Sequence, residues 1–110
     1  MPPSSVSEAQ MWDELNNAWP QMGTRPRRLW ELIRITPEKW RLHSRSGASG
    51  GFWAVGIIGR DVIWYNEVER CFMRSAYQTS GIIAETSGHA GALHEVVQGL
   101  LKSIEGDALS

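Results

Sequence analysis

The run from Gly51 to Tyr65, G-F-W-A-V-G-I-I-G-R-D-V-I-W-Y, constrains the fold more than any other part of the chain. Two stretches rich in β-branched and aromatic residues, Phe52–Ile58 and Asp61–Tyr65, are separated by Gly59-Arg60, a Gly-X pair suited to a type II′ two-residue turn. In that register Val55 stands opposite Trp64 and Ile57 opposite Val62 on one face, while Ala54 meets Tyr65 and Gly56 meets Ile63 on the other. Both faces are apolar, so the hairpin must be central or covered on both sides.

The flanking sequence supplies the cover. A turn around Asn66 and Glu67 leads to a third strand over 70–77, and Thr79-Ser80-Gly81 turns into a short fourth over 82–85, which gives an antiparallel meander. Upstream, Ser7 with Gln10 three residues later forms a capping box, and Val6 with Met11 has hydrophobic-staple spacing. Met11, Trp12, Leu15, Trp19 and Met22 then mark one helix face until Pro20 disfavours continuation. Downstream, Leu93, Val97, Leu100, Leu101 and Ile104 make a second helical stripe, which Gly106 is expected to end.

The segment Arg27–Thr36 fits either period, since Leu29 and Ile33 suit a helix face while Leu29, Ile33 and Ile35 share strand parity; it is read as a strand. Thr36-Pro37 should break it, leaving 38–42 short and irregular or extended before a polar, Gly-rich and mobile loop over 43–51. The expectation is an α+β domain in which a meander of about four antiparallel strands packs on an N-terminal and a C-terminal helix. With 42% hydrophobic residues, a 110-residue chain carries one core, so residues 1–110 form a single domain with tails at 1–6 and 107–110.

Residues 1–8 contain no basic side chain and no apolar run follows them, while Cys71 is the one cysteine; both features predict a cytoplasmic protein without a membrane partner. Gly47-Ala48-Ser49-Gly50-Gly51 matches the nucleophile-elbow pattern G-x-S-x-G, yet a polar stretch precedes it and a strand follows, so it reads as a loop. The same loop could form an anion nest from its backbone N–H groups. His94-Glu95 opens like a zinc-peptidase motif, but Gln98 stands where the second histidine is required. Cys71 would need His43, His89 or His94 beside it to act as a nucleophile; otherwise it is a small buried hydrophobe. Asp61, Asn66, Glu67 and Glu69 are expected to form an acidic cluster at one end of the hairpin layer, with no metal-loop spacing. No residues are assigned to catalysis, a metal or a cofactor.

Charge is distributed unevenly although the net charge is only −1. Residues 25–45 carry Arg25, Arg27, Arg28, Arg34, Lys39, Arg41 and Arg45 against Glu31 and Glu38, with Trp30 and Trp40 among them. Arginine and tryptophan are the residue types enriched at protein-binding hot spots, and the same pairing can clamp phosphates and stack bases. Of the six tryptophans, Trp12, Trp19, Trp53 and Trp64 are expected to fill the core, and Trp30 and Trp40 to lie nearest the surface.

The motifs P-E-K-W at Pro37–Trp40, G-G-F-W-A-V at Gly50–Val55 and I-W-Y-N-E-V-E at Ile63–Glu69 resemble a set of small bacterial single-domain proteins without an assigned activity. The resemblance implies a stand-alone bacterial domain and brings no catalytic residues. Glu67 stands where that pattern often has Asp.

The expected function is a non-enzymatic protein-binding module of regulatory or immunity type. Its binding residues would be Arg25, Arg27, Arg28, Trp30, Arg34, Trp40 and Arg41, with Asn66, Glu67 and Glu69 on the acidic turn. The alternatives are a nucleic-acid-binding module using the same basic segment, or a small-ligand or enzymatic pocket near Cys71. A homodimer formed through an open sheet edge is compatible with any of these.

Overall fold

The computed structural model of the chain describes residues 6–42, 51–84 and 90–109. The first helix, α1 (Glu8–Ala18), begins at the expected capping box: the Gln10 N–H donates to Ser7 Oγ and the Ser7 N–H donates to Gln10 Oε1. Pro20 then tightens the chain into a short 3₁₀ turn, Trp19–Gln21. A second helix follows, α2 (Thr24–Ile33), where the sequence suggested a strand. Its buried residues Pro26, Trp30 and Ile33 follow an i, i+4, i+7 stripe, and Pro26 pre-sets helical φ in the first turn. Arg, Leu and Glu between them are good helix formers, and β-branched residues concentrate only from Ile33 onward, where the strand starts.

That strand, β1 (Arg34–Leu42), runs through Pro37 instead of breaking there. Its register against β2 (Phe52–Ile58) advances from Arg34↔Gly56 to Glu38↔Ala54, so the segment holding Pro37 bulges out of the ladder and needs no N–H at that point. The hairpin of β2 with β3 (Asp61–Asn66) keeps the expected Gly56↔Ile63 and Ile57↔Val62 pairs, with Gly59 in left-handed conformation at the turn. Beyond them Ala54, not Val55, meets Trp64, because the register shifts at Val55. A bulge in that position re-aims side chains: Val55 packs with the helix-side cluster, and Ala54 faces the other way with Trp64.

The third expected strand is β4 (Cys71–Ala76), antiparallel to β3. The fourth, β5 (Ile82–Ile83), corrects the meander: it does not extend the sheet beside β4 but pairs in parallel with β1, through Arg41↔Ile82 and Leu42↔Ile83. A further short strand, β6 (Ala90–Gly91), takes the place beside β4, so the order is β5-β1-β2-β3-β4-β6 and the sheet is mixed. Residues 77–81 alone carry the chain from β4 to β5. In a flat sheet these strands would lie four spacings apart, about 19 Å. Here the Ala84 N–H donates to the Ala76 carbonyl at 3.1 Å, so the sheet curls until its two sides meet. The last helix, α3 (Leu93–Leu109), passes through Gly106 and includes the expected tail residues 107–109.

The curl creates two cores. Trp40, Ala54, Val62, Trp64, Met73 and Ile83 fill the concave side, while Met11, Leu15, Trp30, Ile33, Val55, Ile63, Phe72, Leu93 and Val97 join the helices to the convex side. The fold is α+β, with three α-helices among the described residues in place of the two expected.

Candidate functional site

The six tryptophans divide according to these two cores, and not as expected. Trp30 and Trp40 are 2% and 1% exposed, so neither can present an aromatic face to a partner. Trp30 lies against the backbone of Gly56, where an added Cβ would come within 2.9 Å of its ring. Trp40 stacks edge-on against Tyr77 and donates its indole N–H to Glu38 Oε1 at 2.8 Å. Among the described residues Trp12, at 37% exposure, is the one exposed aromatic residue, and Trp19 beside it is half-buried, as Trp53 is elsewhere. On a 100° helical wheel Trp12 and Trp19 sit roughly a quarter turn from the Met11–Leu15 axis, on one flank of the buried stripe. Their i, i+7 spacing carried that signal; counting all apolar residues as one stripe concealed it.

Trp12, Leu15, Asn16 and Trp19 line a small groove of about 60 Å³ whose other wall is Trp30, Arg34 and Ile35. The end of α2 and the start of β1 set that wall, because Ile33 turns inward and leaves Arg34 exposed. Arg27 extends the cationic character. Its guanidinium lies 5.0 Å from the Trp19 ring centroid, and its Nε donates to the Trp19 carbonyl at 3.0 Å. The Trp12 indole N–H donates to Glu8 Oε2 at 3.3 Å. The structure therefore brings Arg27 and Arg34 together with tryptophans, though not with those the sequence suggested.

The other site residues scatter. Arg25 pairs with Glu105 of α3. Arg28 and Arg41 are exposed and have no ion-pair partner among the described residues. Lys39 lies over the Trp53 ring at 4.5 Å and 3.9 Å from Glu67 Oε1, so the acidic turn neutralises part of the basic strand. Asn66 is structural as well: its Oδ1 accepts from the Val68 and Glu69 N–H groups and shapes the β3–β4 turn. Glu69 stays exposed. Asp61 does not join these residues, because it occupies the opposite end of β3 and pairs with Arg74 at 3.4 Å.

A second hollow, of about 260 Å³, opens on the other flank of α1 and contains Cys71. Glu14, Asn17 and Gln21 form one wall, Gly91 to His94 the other, and Tyr65, Cys71 and Phe72 the floor, with Arg70 at the turn. Burial, and then the Glu69 charge, push the Cys71 thiol above its ordinary 9.0, so near neutral pH it is a thiol and not the thiolate a nucleophile requires. Burial and Glu14 likewise raise the Tyr65 phenol, which keeps its proton. Of the three histidines, His94 lines this hollow, whereas His43 and His89 lie outside the described residues. The Gly47–Gly50 part of the serine-containing loop also lies outside them. Among the described residues no group of three or more His, Cys, Asp or Glu could hold a metal ion, and no helix is long and apolar enough to cross a membrane. No family model, curated protein or solved structure matches the chain.

Proposed function

We propose that the protein is a non-enzymatic protein-binding module whose docking face is the groove formed by Trp12, Asn16 and Trp19 with Arg27 and Arg34. The observation carrying this reading is the half-open tryptophan pair against an exposed arginine. Trp12 is 37% exposed on a helix that buries Met11 completely, beside an Arg34 with no ion-pair partner among the described residues. Large amphipathic side chains lose little conformational entropy when covered, and Trp and Arg dominate measured hot spots. Of the residues expected at the interface, Arg34 lines this groove and Arg27 stands against its Trp19, whereas Arg41 lies at the far end of β1 and Glu69 on the β3–β4 turn, away from it. Trp30, Trp40, Asn66 and Glu67 support the fold around them. Glu8, bonded to Trp12, and Glu31 on the exposed side of α2 interrupt the positive surface. That pattern suits a protein surface with an apolar anchor and a few carboxylates better than a continuous phosphate backbone.

Salt separates this reading from nucleic-acid binding. Binding to a partner recovered from the host lysate should change little between ~50 and ~200 mM salt and survive nuclease, whereas a contact through five or six phosphates weakens by orders of magnitude over that range. Trp12→Ala and Arg34→Ala should each weaken binding at least about tenfold, equivalent to about 1.4 kcal/mol. Undiminished binding by both variants would refute the groove as the docking face.

A further inference from the structure

The hollow on the opposite flank of α1 has features that the docking groove lacks. It is larger, about 260 Å³, and is separated by Gln21 and His94 from a neighbouring hollow of about 290 Å³ along α3. Its floor is apolar, with Phe72 and Leu93 buried and the Tyr65 ring 5.0 Å from Phe72, while its rim is polar. Two opposite charges line that rim from different elements, Glu14 on α1 and Arg70 on the β3–β4 turn. Both are exposed, and neither forms an ion pair with any described residue, including each other. Arg70 also holds φ at 56°, the one non-glycine residue in the left-handed region among those described. Glycine or asparagine would take that conformation at lower cost, so local backbone preference does not account for an arginine there.

We infer that this cleft binds a small zwitterion of amino-acid size, with its anionic group toward Arg70 and its ammonium toward Glu14. The volume lies just below the range of drug-sized sites, about 300–1,000 Å³, which suits a molecule of this scale. An apolar floor beneath two separated charges favours a ligand that carries both charges over one that carries either alone, since a singly charged ligand would leave one rim charge unmatched and partly desolvated. The Tyr65 hydroxyl, which retains its proton, adds a neutral donor. Cys71 adds its thiol to the floor, with burial and the Glu69 charge favouring the neutral form.

The test is a titration of the full chain, followed by two-dimensional amide NMR, with L-alanine, L-glutamine and L-phenylalanine at millimolar concentrations. The N-acetyl acid and the amide of each provide ligands lacking one charge. The expected result is saturable shifts confined to residues around Glu14, Tyr65, Cys71 and His94 for at least one free amino acid, with both of its single-charge analogues at least tenfold weaker. Two variants fix the roles. Arg70→Gly should fold at least as stably as the parent, because glycine accepts φ 56° readily, and should weaken binding at least tenfold. Glu14→Gln, on the exposed side of α1, should weaken the free amino acid at least tenfold and leave the N-acetyl analogue unchanged. Shifts absent for all three amino acids, shifts centred elsewhere, or equal binding of the single-charge analogues would overturn the proposal. None of these outcomes depends on the Trp12 groove, so the two readings fail separately.

Discussion

The concave and convex sides of the sheet use tryptophan in opposite ways. On the concave side Trp40 and Trp64 are 1% and 0% exposed, and each indole N–H is satisfied locally, by Glu38 and by Ser75 Oγ. Among the described residues no helix joins that cluster, whose members and partly buried neighbours come from the strands and Tyr77, so the rings and the curl of the sheet substitute for a second layer. On the convex side helices provide the cover, and it is incomplete. Trp30 is sealed against Gly56, the Trp53 indole N–H reaches the Val6 carbonyl at 2.7 Å, and Trp12 and Trp19 remain at the edge beside Arg27 and Arg34. The same residue type is therefore scaffold where the sheet curls onto itself, and accessible surface where one helix only partly covers another layer. The number of tryptophans says little about function until each ring is assigned to one side.

The largest test of that division is Trp64→Ala. It should cost about 3–5 kcal/mol in denaturant unfolding, because the cavity would lie in the middle of the concave cluster around a fully buried ring. A loss below about 1 kcal/mol would mean the concave side is not a packed core. Gly56→Ala comes next, at about 1–3 kcal/mol, since the new Cβ would meet the Trp30 ring at 2.9 Å and must displace α2 from the sheet. A smaller effect is expected at alkaline pH. Cys71 and Tyr65 both have pKa values raised in the folded state, so their contribution is intact below the unfolded values near 9.0 and 10.0 and is lost as pH rises through the folded ones. Melts from pH 8 upward should show the decline, and Cys71 should alkylate more slowly than free cysteine at pH 8. The smallest stability effect belongs to Trp12→Ala, within about 0.5 kcal/mol of the parent, because the ring is already at the edge of the core. A loss near that of Trp64→Ala would erase the distinction between scaffold and surface.

The legible parts of the fold were those written in local chemistry. The Ser7 and Gln10 capping box and the Gly59-Arg60 turn are short-range signals that appear where the residues place them, and the α3 stripe holds over Leu93, Val97 and Leu100, joined by Val96, while Leu101 is half-buried and Ile104 exposed. Three features depend on distant partners and were hidden. The identity of α2 turned on Pro26 and Trp30 belonging to its buried stripe, which becomes evident only when α2 lies on β2. The Val55 bulge is marked only by Gly56, a strand-interior glycine that signals a bulge or a close approach without saying which, and it reverses the faces of Val55 and Ala54. The parallel pairing of β5 with β1 follows from the curl of the whole sheet, and two isoleucines cannot announce it. The candidate site was half legible for the same reason. Arg27 and Arg34 could be read from charge, whereas which tryptophans stand beside them was decided by the packing of helices on the convex face.

The most direct measurement compares the parent with the Trp12→Ala, Arg34→Ala double variant in affinity capture from the host lysate, with nuclease treatment in parallel and melting curves recorded for both. The account predicts matching melts within about 0.5 kcal/mol and one stoichiometric protein, resistant to nuclease, retained by the parent and lost by the variant. Equal recovery by both proteins, or recovery from the parent that disappears on nuclease treatment, would contradict it.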